Sequence, residues 1–402
     1  MKTIVEINGT NYASTGNIAL NIAKQARLSG YNAYTCCKAS KESYKYNYDN
    51  QIIIGYRLER VLSTILNTIT GLRDYNNIFS TYSFINKLKK IKPDLIHLHV
   101  LHDDFINTRI FFNYLSKIDI PVVWTFHDCT ALTGKCPGFM MVNCDKWKTG
   151  CYKCPQLKIE AKSLFFDTTN HIWHKRKKEF TSIKNMAIVT PSNWLKGICK
   201  QSFFNKYPIK VINNGINLET FKPVENHIKD DYQIKDKYLV LGIANVWDIQ
   251  KGLDVFIELS KRLSNDYQII LVGTNDDVDK LLPSNIISIH RTYNQEELVK
   301  LYSAANVFVN PTREDNFPTV NIEALACGTP VITFKTGGSP EIIDETCGLV
   351  VEKNDIDTLE KQIINVRTNK LFTSKDCLNR AQQFNMENKF KEYVNLYNQL
   401  LK

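Results

Sequence analysis

Two carboxylates, Asp315 and Glu323, sit eight positions apart in REDNFPTVNIEALACGTPV, residues Arg313 to Val331. A carboxylate accepts hydrogen bonds from vicinal hydroxyls such as those of a ribose or a hexose. Between the two acids, Pro318 and Thr319 have the chemistry of a helix start. Backbone N–H groups of Asn316, Phe317, Thr319 and Val320, on either side of Pro318, can therefore point at an anion. Glu323 then falls about one turn inside a helix that Gly328 ends. Carboxylates flanking anion-binding amides suit a ligand that is sugar, diphosphate and ribose together. Lys251, in ANVWDIQKG and followed by Gly252, adds a point charge for phosphate at a second helix start. A third such place is NGTNYASTGNIA, a small-residue loop that enters a helix at Gly16. It has neither the G-x-G-x-x-G spacing of a dinucleotide loop nor the G-K-S/T of a P-loop. Spacing alone leaves the plainer readings open: polar faces of a surface turn, a solvated lysine, an ordinary strand–helix turn. TGGSPEII, residues 336–343, is one more glycine turn with the same ambiguity.

Histidine and cysteine offer other chemistry. His127 follows WTF and titrates near neutrality in water. In HLHVLH, His102 can reach an acceptor, whereas His97 and His99 suit local hydrogen bonds. Cys136, Cys144, Cys151 and Cys154 fall within 19 residues, spaced x7, x6 and x2. Four thiolates would satisfy a tetrahedral structural zinc and staple a long loop, although only the last pair has the tight gap usual in a zinc knuckle. His127, Cys129 or His171 could replace one ligand. Loose, partly buried thiols or a redox-sensitive pair are the alternative.

The elements that must position these groups alternate. Short β-branched runs at 3–8, 94–100, 121–128 and 186–192 read as strands, as do 238–244, 267–273, 286–290, 307–312 and 330–334. Helical stretches at 16–30, 252–264, 295–305 and 319–327 separate several of them. Strands alternating with crossover helices predict parallel sheets. Two such series joined through NNGINLETFKP, 213–223, predict an α/β chain of two doubly wound, Rossmann-like domains, with ligands beyond the carboxyl ends of the strands. The boundaries expected are 1–215, carrying a Cys-rich loop at 129–160, then 216–384, then a terminal helix at 385–402 that packs across one of the domains.

Composition limits the function classes. At 402 residues and 43% hydrophobic content the chain can bury two cores. No apolar run approaches the roughly 20 residues that span a bilayer. MKTIVEINGT reads as a first strand, so a cytoplasmic protein is expected, and 11 cysteines in a reducing compartment argue against a disulfide framework. Residues 1–200 hold 28 Lys and Arg against 14 Asp and Glu, or +14, while the remainder is −4. The runs KLKKIK (87–92) and HKRKK (174–178) point the basic half toward phosphates or anionic lipid. Basic residues interleaved with aromatics are lacking, which argues against a nucleic-acid-binding protein.

EDNFPTVNIEALACGTPVI, ANVWDIQKG, STGNIA and TFHD together resemble glycosyltransferase family 4, retaining enzymes of the GT-B fold, over essentially the whole chain. HDCTALTGKC…CDKWKTGCYKCPQ further resembles the bacterial subgroup that builds capsular and colanic-acid-type surface polysaccharides. The resemblance implies two Rossmann-like domains facing a central cleft, with the terminal helix crossing back to the N-terminal one. It implies a nucleotide-diphosphate sugar donor, UDP favoured over GDP, and a lipid-linked or oligosaccharide acceptor. Glu323 would hold the ribose hydroxyls. Asp315 and the following amides would hold the donor hexose, Lys251 the diphosphate, and Gly16 the donor phosphate. His127 would lie near the reacting sugar carbon, with His290 and Arg291 candidates beside the base. Two positions depart from the pattern. Asp315 stands where glutamate is usual, and Val246 where an arginine usually assists the lysine, which shifts charge neutralisation toward Lys251, helix dipoles or Arg313. Trp247 and Gln250 can add contacts but no charge. The implied chemistry is front-face displacement without a metal or other cofactor. An epimerase on the same fold and an inactive binding protein are the alternatives.

Overall fold

The computed structural model describes residues 1–46, 48–102, 104–159 and 162–402. They form two compact units, Met1–Ile212 with Lys389–Lys402, and Asn213–Asn388. The first holds strands β1 (Thr3–Ile7), β2 (Asn32–Lys38), β3 (Gln51–Ile54), β4 (Leu95–Leu98), β5 (Val122–Thr125), β6 (Met186–Thr190) and β7 (Ile209–Val211). Their order across the sheet is β3-β2-β1-β4-β5-β6-β7, every pair parallel. The second unit holds β8 (Tyr238–Ile243), β9 (Tyr267–Val272), β10 (Ile286–Ile289), β11 (Val307–Asn310), β12 (Val331–Phe334) and β13 (Gly348–Val351). Its order, β10-β9-β8-β11-β12-β13, is likewise all parallel. Both sheets are therefore doubly wound, as the alternating pattern predicts.

Parallel sheets covered on both faces need strands that are apolar throughout. β4, β5, β6, β11 and β12 are buried at every position. In unit 1 the core is aromatic: Trp124 packs edge-on to Phe126, Phe180 and Phe204 with centroids 5.0–5.7 Å apart. In unit 2, Tyr302 packs at 5.5 Å from Phe308 beneath β11.

In each sheet the strand order reverses at one place, between β1 and β4 and between β8 and β11. Ligands of doubly wound sheets bind beyond the strand ends at such points. The first helix spans Ala13–Leu28, so it begins three residues before Gly16. The other expected helices are Leu253–Arg262, Gln295–Ala304 and Thr319–Ala326. The terminal helix, Met386–Leu400, starts in the second unit and lies in the first from Lys389 onward.

Candidate functional site

Unit 2 gathers its polar groups on the loops that follow β8 and β11. Gly252 joins the first loop to the Leu253–Arg262 helix with φ +81, and a Cβ there would approach the Pro311 carbonyl oxygen to 2.7 Å. That left-handed, close-packed turn suits glycine alone and presses the Lys251 loop onto the loop after β11. Arg313 completes the brace. Its backbone N–H donates to the Gln250 carbonyl at 2.8 Å, and its guanidinium binds Asp254 in bidentate fashion at 2.7 and 2.8 Å. Further bonds run from Arg313 to Asn354 and to the Ile249 carbonyl. These donors hold the two loops together, and the guanidinium that the sequence reading turns toward phosphate is engaged by Asp254. Trp247 is also internal, its indole N–H donating to the Val272 carbonyl at 2.9 Å.

Held this way, Lys251 Nζ donates to Asp315 Oδ2 at 2.8 Å, with both side chains partly exposed. Asp315 Oδ1 accepts the Phe317 amide at 3.2 Å. The Phe317 ring is turned into the core, 5.9 Å from Phe384, so only its backbone belongs to the site. Pro318 precedes the Thr319–Ala326 helix, whose start has no side-chain cap and no acid in its first turn. Such a terminus presents N–H groups and the positive end of the helix dipole. Glu323 is half-buried one turn in and accepts from the Tyr302 hydroxyl at 3.0 Å. Burial pushes its carboxyl upward, opposed by hydrogen bonds from Tyr302 and Thr319. Sequence reasoning did not single out Tyr302. His290 and Arg291 lie exposed after β10; His290 pairs with Asp279 at 2.6 Å and Arg291 stacks over Tyr293. The Asp279 carboxylate raises the His290 pKa.

In unit 1 the reversal of strand order sets Glu6 of β1 directly beside His97 of β4. Glu6 is 1% exposed and makes three bonds: Oε1 accepts from Tyr397 at 2.7 Å, while Oε2 lies 2.8 Å from His97 Nδ1 and 2.9 Å from His99 Nε2. His97 Nε2 meets Thr125 Oγ1 at 2.8 Å. Burial alone would raise the Glu6 carboxyl, but His97 and His99 outweigh it and hold the pKa at about 2. Burial and the neighbouring His97 push His99 down to about 4 despite Glu6. His99 is thus neutral at pH 7, and its single proton belongs on Nε2, facing the carboxylate. Its Nδ1 then accepts from His127 Nε2 at 3.0 Å, which assigns the His127 tautomer. Burial, then His99, His97 and His102, hold the His127 pKa well below its ordinary value.

His127 lies two residues past β5, with His99, His102 and Asp128 around a cavity of about 30 Å³. His102 pairs with Asp128 at 3.4 Å. Gly16 is buried one turn inside its helix, where a Cβ would meet the Asn11 carbonyl carbon at 3.0 Å and the Thr10 carbonyl oxygen at 3.1 Å. Its smallness lets the helix sit against the loop after β1, whatever that loop binds. In the HKRKK run, Arg176 is buried against Asp74 at 2.6 Å, so that run is not a uniformly solvated basic face.

The cysteine loop is ordered by its own apolar centre. Trp147 is 1% exposed and stacks on Phe139 at 4.9 Å, and its carbonyl accepts from the Trp173 indole at 2.8 Å. Cys136 and Cys154 share a hydrogen bond that lowers the Cys154 thiol pKa and raises that of Cys136. Cys151 Sγ accepts the Gly134 amide at 3.1 Å. Among the described residues, groups with three ligand atoms within 4.8 Å of one another are Glu6–His97–His99 and Asp276–Asp279–His290; neither includes a cysteine. The first group's ligand atoms are already hydrogen-bonded, to one another and to Tyr397, Thr125 and His127.

Two family models match in tandem: Glycosyltransferase Family 4 over residues 15–220 and Glycosyl transferases group 1 over 224–384. The chain is 22% identical over 342 residues to the putative colanic acid biosynthesis glycosyl transferase WcaC of Escherichia coli K12, covering 83% of this chain and 82% of the relative. It is 26% identical over 362 residues to an E. coli UDP-Gal:alpha-D-GlcNAc-diphosphoundecaprenol alpha-1,3-galactosyltransferase, covering 83% and 82%. Among solved structures, sucrose-phosphate synthase from Thermosynechococcus elongatus superposes with a TM-score of 0.76 at 18% identity, over 100% of this chain and 99% of that one. At that identity the likeness shows the fold, which is GT-B.

Proposed function

The chain belongs to glycosyltransferase family 4, and on that premise we propose that it moves a hexose-type sugar from a UDP-sugar to a lipid-linked or oligosaccharide acceptor of surface polysaccharide synthesis, with retention of anomeric configuration. The observation that carries the reading is the Lys251–Asp315 pair beside the uncapped start of the Thr319–Ala326 helix, with Glu323 one turn inside. An ion pair this exposed is worth about 1 kcal/mol or less. A diphosphate can therefore take Lys251 from Asp315 at little cost, releasing the carboxylate for hexose hydroxyls. Glu323, steadied by Tyr302, accepts from the ribose. The helix start and Lys251 stabilise the charge that develops on the leaving diphosphate. One diphosphate oxygen takes the acceptor's proton as that hydroxyl attacks from the same face, so the reaction needs no protein nucleophile and no cofactor. His127, held neutral in one tautomer, orients the reacting sugar. Preference for UDP and for a lipid-linked acceptor draws support from the 26%-identical relative, a UDP-Gal:alpha-D-GlcNAc-diphosphoundecaprenol alpha-1,3-galactosyltransferase; such an acceptor would place the protein at the inner face of the membrane.

A thermal-shift panel of UDP- and GDP-sugars tests the donor, because a ligand at about 100 times its Kd stabilises the native state by about 2.7 kcal/mol. Transfer of radiolabelled sugar and NMR of the product anomer test the rest. Stabilisation by UDP-sugars with a product of the donor's configuration is expected. No shift with any nucleotide sugar sinks the proposal. Binding without turnover makes the chain an inactive binding protein, and release of an epimerised donor makes it an epimerase.

A further inference from the structure

One surface helix of unit 1 is built inside out. Helices that cover a sheet turn their apolar stripe inward. In the Arg57–Thr70 helix the buried residues are instead Ser63 and Asn67. Leu58, Val61, Leu62, Ile65, Leu66 and Ile69 are 40–73% exposed. Hydrogen bonds fix this orientation. Asn67 Nδ2 donates to Asp104 Oδ1 at 2.6 Å, and Asn67 Oδ1 accepts from Asn76 Nδ2 at 2.6 Å. Rolling the leucines inward would bury a broken polar network and leave its donors and acceptors unpaired.

Neighbouring segments extend the same face. The Leu164 amide donates to the Thr68 carbonyl at 2.9 Å, which docks the loop carrying Leu164, Phe165 and Phe166, all 53–71% exposed. At the other end Glu59 accepts the Phe79 and Ser80 amides at 2.9 Å, setting Phe79 (77% exposed) alongside. Scattered exposed apolar residues are ordinary, but a set tied together on one helix and its flanking loops marks an interaction surface.

Charge selects the occupant. Arg57 stands exposed at the helix start, and Lys158 and Lys162 stand exposed on the approach to the Phe165 loop, with Glu160 between them in sequence; Asp167, just past the loop, accepts the Cys154 and Thr169 amides. Glu59, the sole acid of the helix, faces the backbone amides just named. Apolar and aromatic side chains rimmed by cations are the pattern of a helix lying in a bilayer interface, where the stems of Lys and Arg snorkel to the headgroups. We propose that the Arg57–Thr70 helix and the 164–166 loop insert into an anionic lipid surface and seat the protein there. The physiological purpose, access to a lipid-linked acceptor, rests on the function proposed above; the binding itself does not.

The test uses the full chain and vesicles of phosphatidylcholine with or without phosphatidylglycerol, read by flotation, with Leu62→Glu/Ile65→Glu and Phe165→Ser as variants. The wild type should float with phosphatidylglycerol vesicles, more weakly with phosphatidylcholine alone, and retain part of its binding at high salt. The double variant should lose more than about tenfold in partitioning, since each added negative charge opposes insertion into an anionic surface. Its melting temperature and its UDP-sugar thermal shift should be unchanged, which keeps the donor reading separate. Wild type that stays with the soluble fraction overturns the proposal, as does a double variant that floats equally well. So does a wild-type dimer in sedimentation that the same substitutions turn into monomer, because the face would then belong to a second copy.

Discussion

Glu6→Gln should destabilise unit 1 by an amount that the buried network itself sets. In the folded protein the Glu6 carboxyl lies at about 2 against an ordinary 4.5, because burial is outweighed by His97 and His99. At 1.36 kcal/mol per pKa unit, that difference favours the carboxylate over a neutral group by about 3 kcal/mol. Glutamine is the same size but presents one acceptor and one N–H donor where Glu6 presents two acceptors. Either Tyr397 or the histidine pair must then meet a donor in place of an oxygen. For a unit of this size the melting temperature should fall by about 6–12 °C. The pH dependence carries an independent sign. A carboxyl with a lowered folded pKa contributes stability that is present above pH 4.5 and is lost as pH falls toward 2. The gap between wild type and variant should therefore be full at pH 7 and close across that window. Tyr397→Phe removes one donor to a charged acceptor and should cost about 1.5–3 kcal/mol. Urea denaturation of the three proteins at pH 7 and pH 3 measures all of this. A Glu6→Gln variant within about 0.5 kcal/mol of wild type at pH 7 would refute the reasoning.

Lys251→Ala and Glu323→Gln should each lower the transfer rate by roughly 100-fold, about 3 kcal/mol in the barrier, with unchanged circular dichroism; near-normal turnover in both would remove the site assignment. Asp254→Asn breaks the bidentate hold on Arg313, so donor affinity should weaken although residue 254 touches no donor; an unchanged thermal shift with UDP-sugars would show that the brace is dispensable. Cys136, Cys144, Cys151 and Cys154 should hold about one zinc per chain when the protein is purified without chelator, their sulfurs closing to the separations that tetrahedral thiolates require. Far less zinc, together with four titratable thiols in the native protein, would leave the loop to its Trp147 centre alone.

The alternation of strands and helices was legible because each period is local. β2, β3, β7 and β13 escaped notice: β2 mixes Asn, Tyr and Lys into its run, β7 has three residues, and β3 and β13 open on Gln and Gly and are only partly buried. The first helix begins at Ala13 instead of Gly16, since glycine marks a close packing contact there and not a boundary. At the candidate site, the relation of Asp315, Glu323 and the helix start between them could be read from one continuous stretch. Arg313 could not, because its partners Asp254 and Asn354 lie 59 and 41 positions away. Glu6 did leave a signal, as a lone acid inside the apolar run TIVEIN, and a buried charge demands a partner. Nothing local names that partner as His97, His99 and Tyr397.

The return of residues 389–402 to the first unit has a consequence for how the protein is made. Glu6 and Tyr397 are 391 positions apart, so ribosomal synthesis delivers one before and the other after the whole second unit. Domains are ordinarily free to fold in the order in which they emerge. Here the first-made sheet waits, its carboxylate lacking the Tyr397 hydroxyl, until the 213–388 segment has been translated. Premature termination or proteolytic nicking near residue 388 therefore strikes the first unit, and a truncated product should present an acid-sensitive, protease-prone first unit to the cell's degradation machinery.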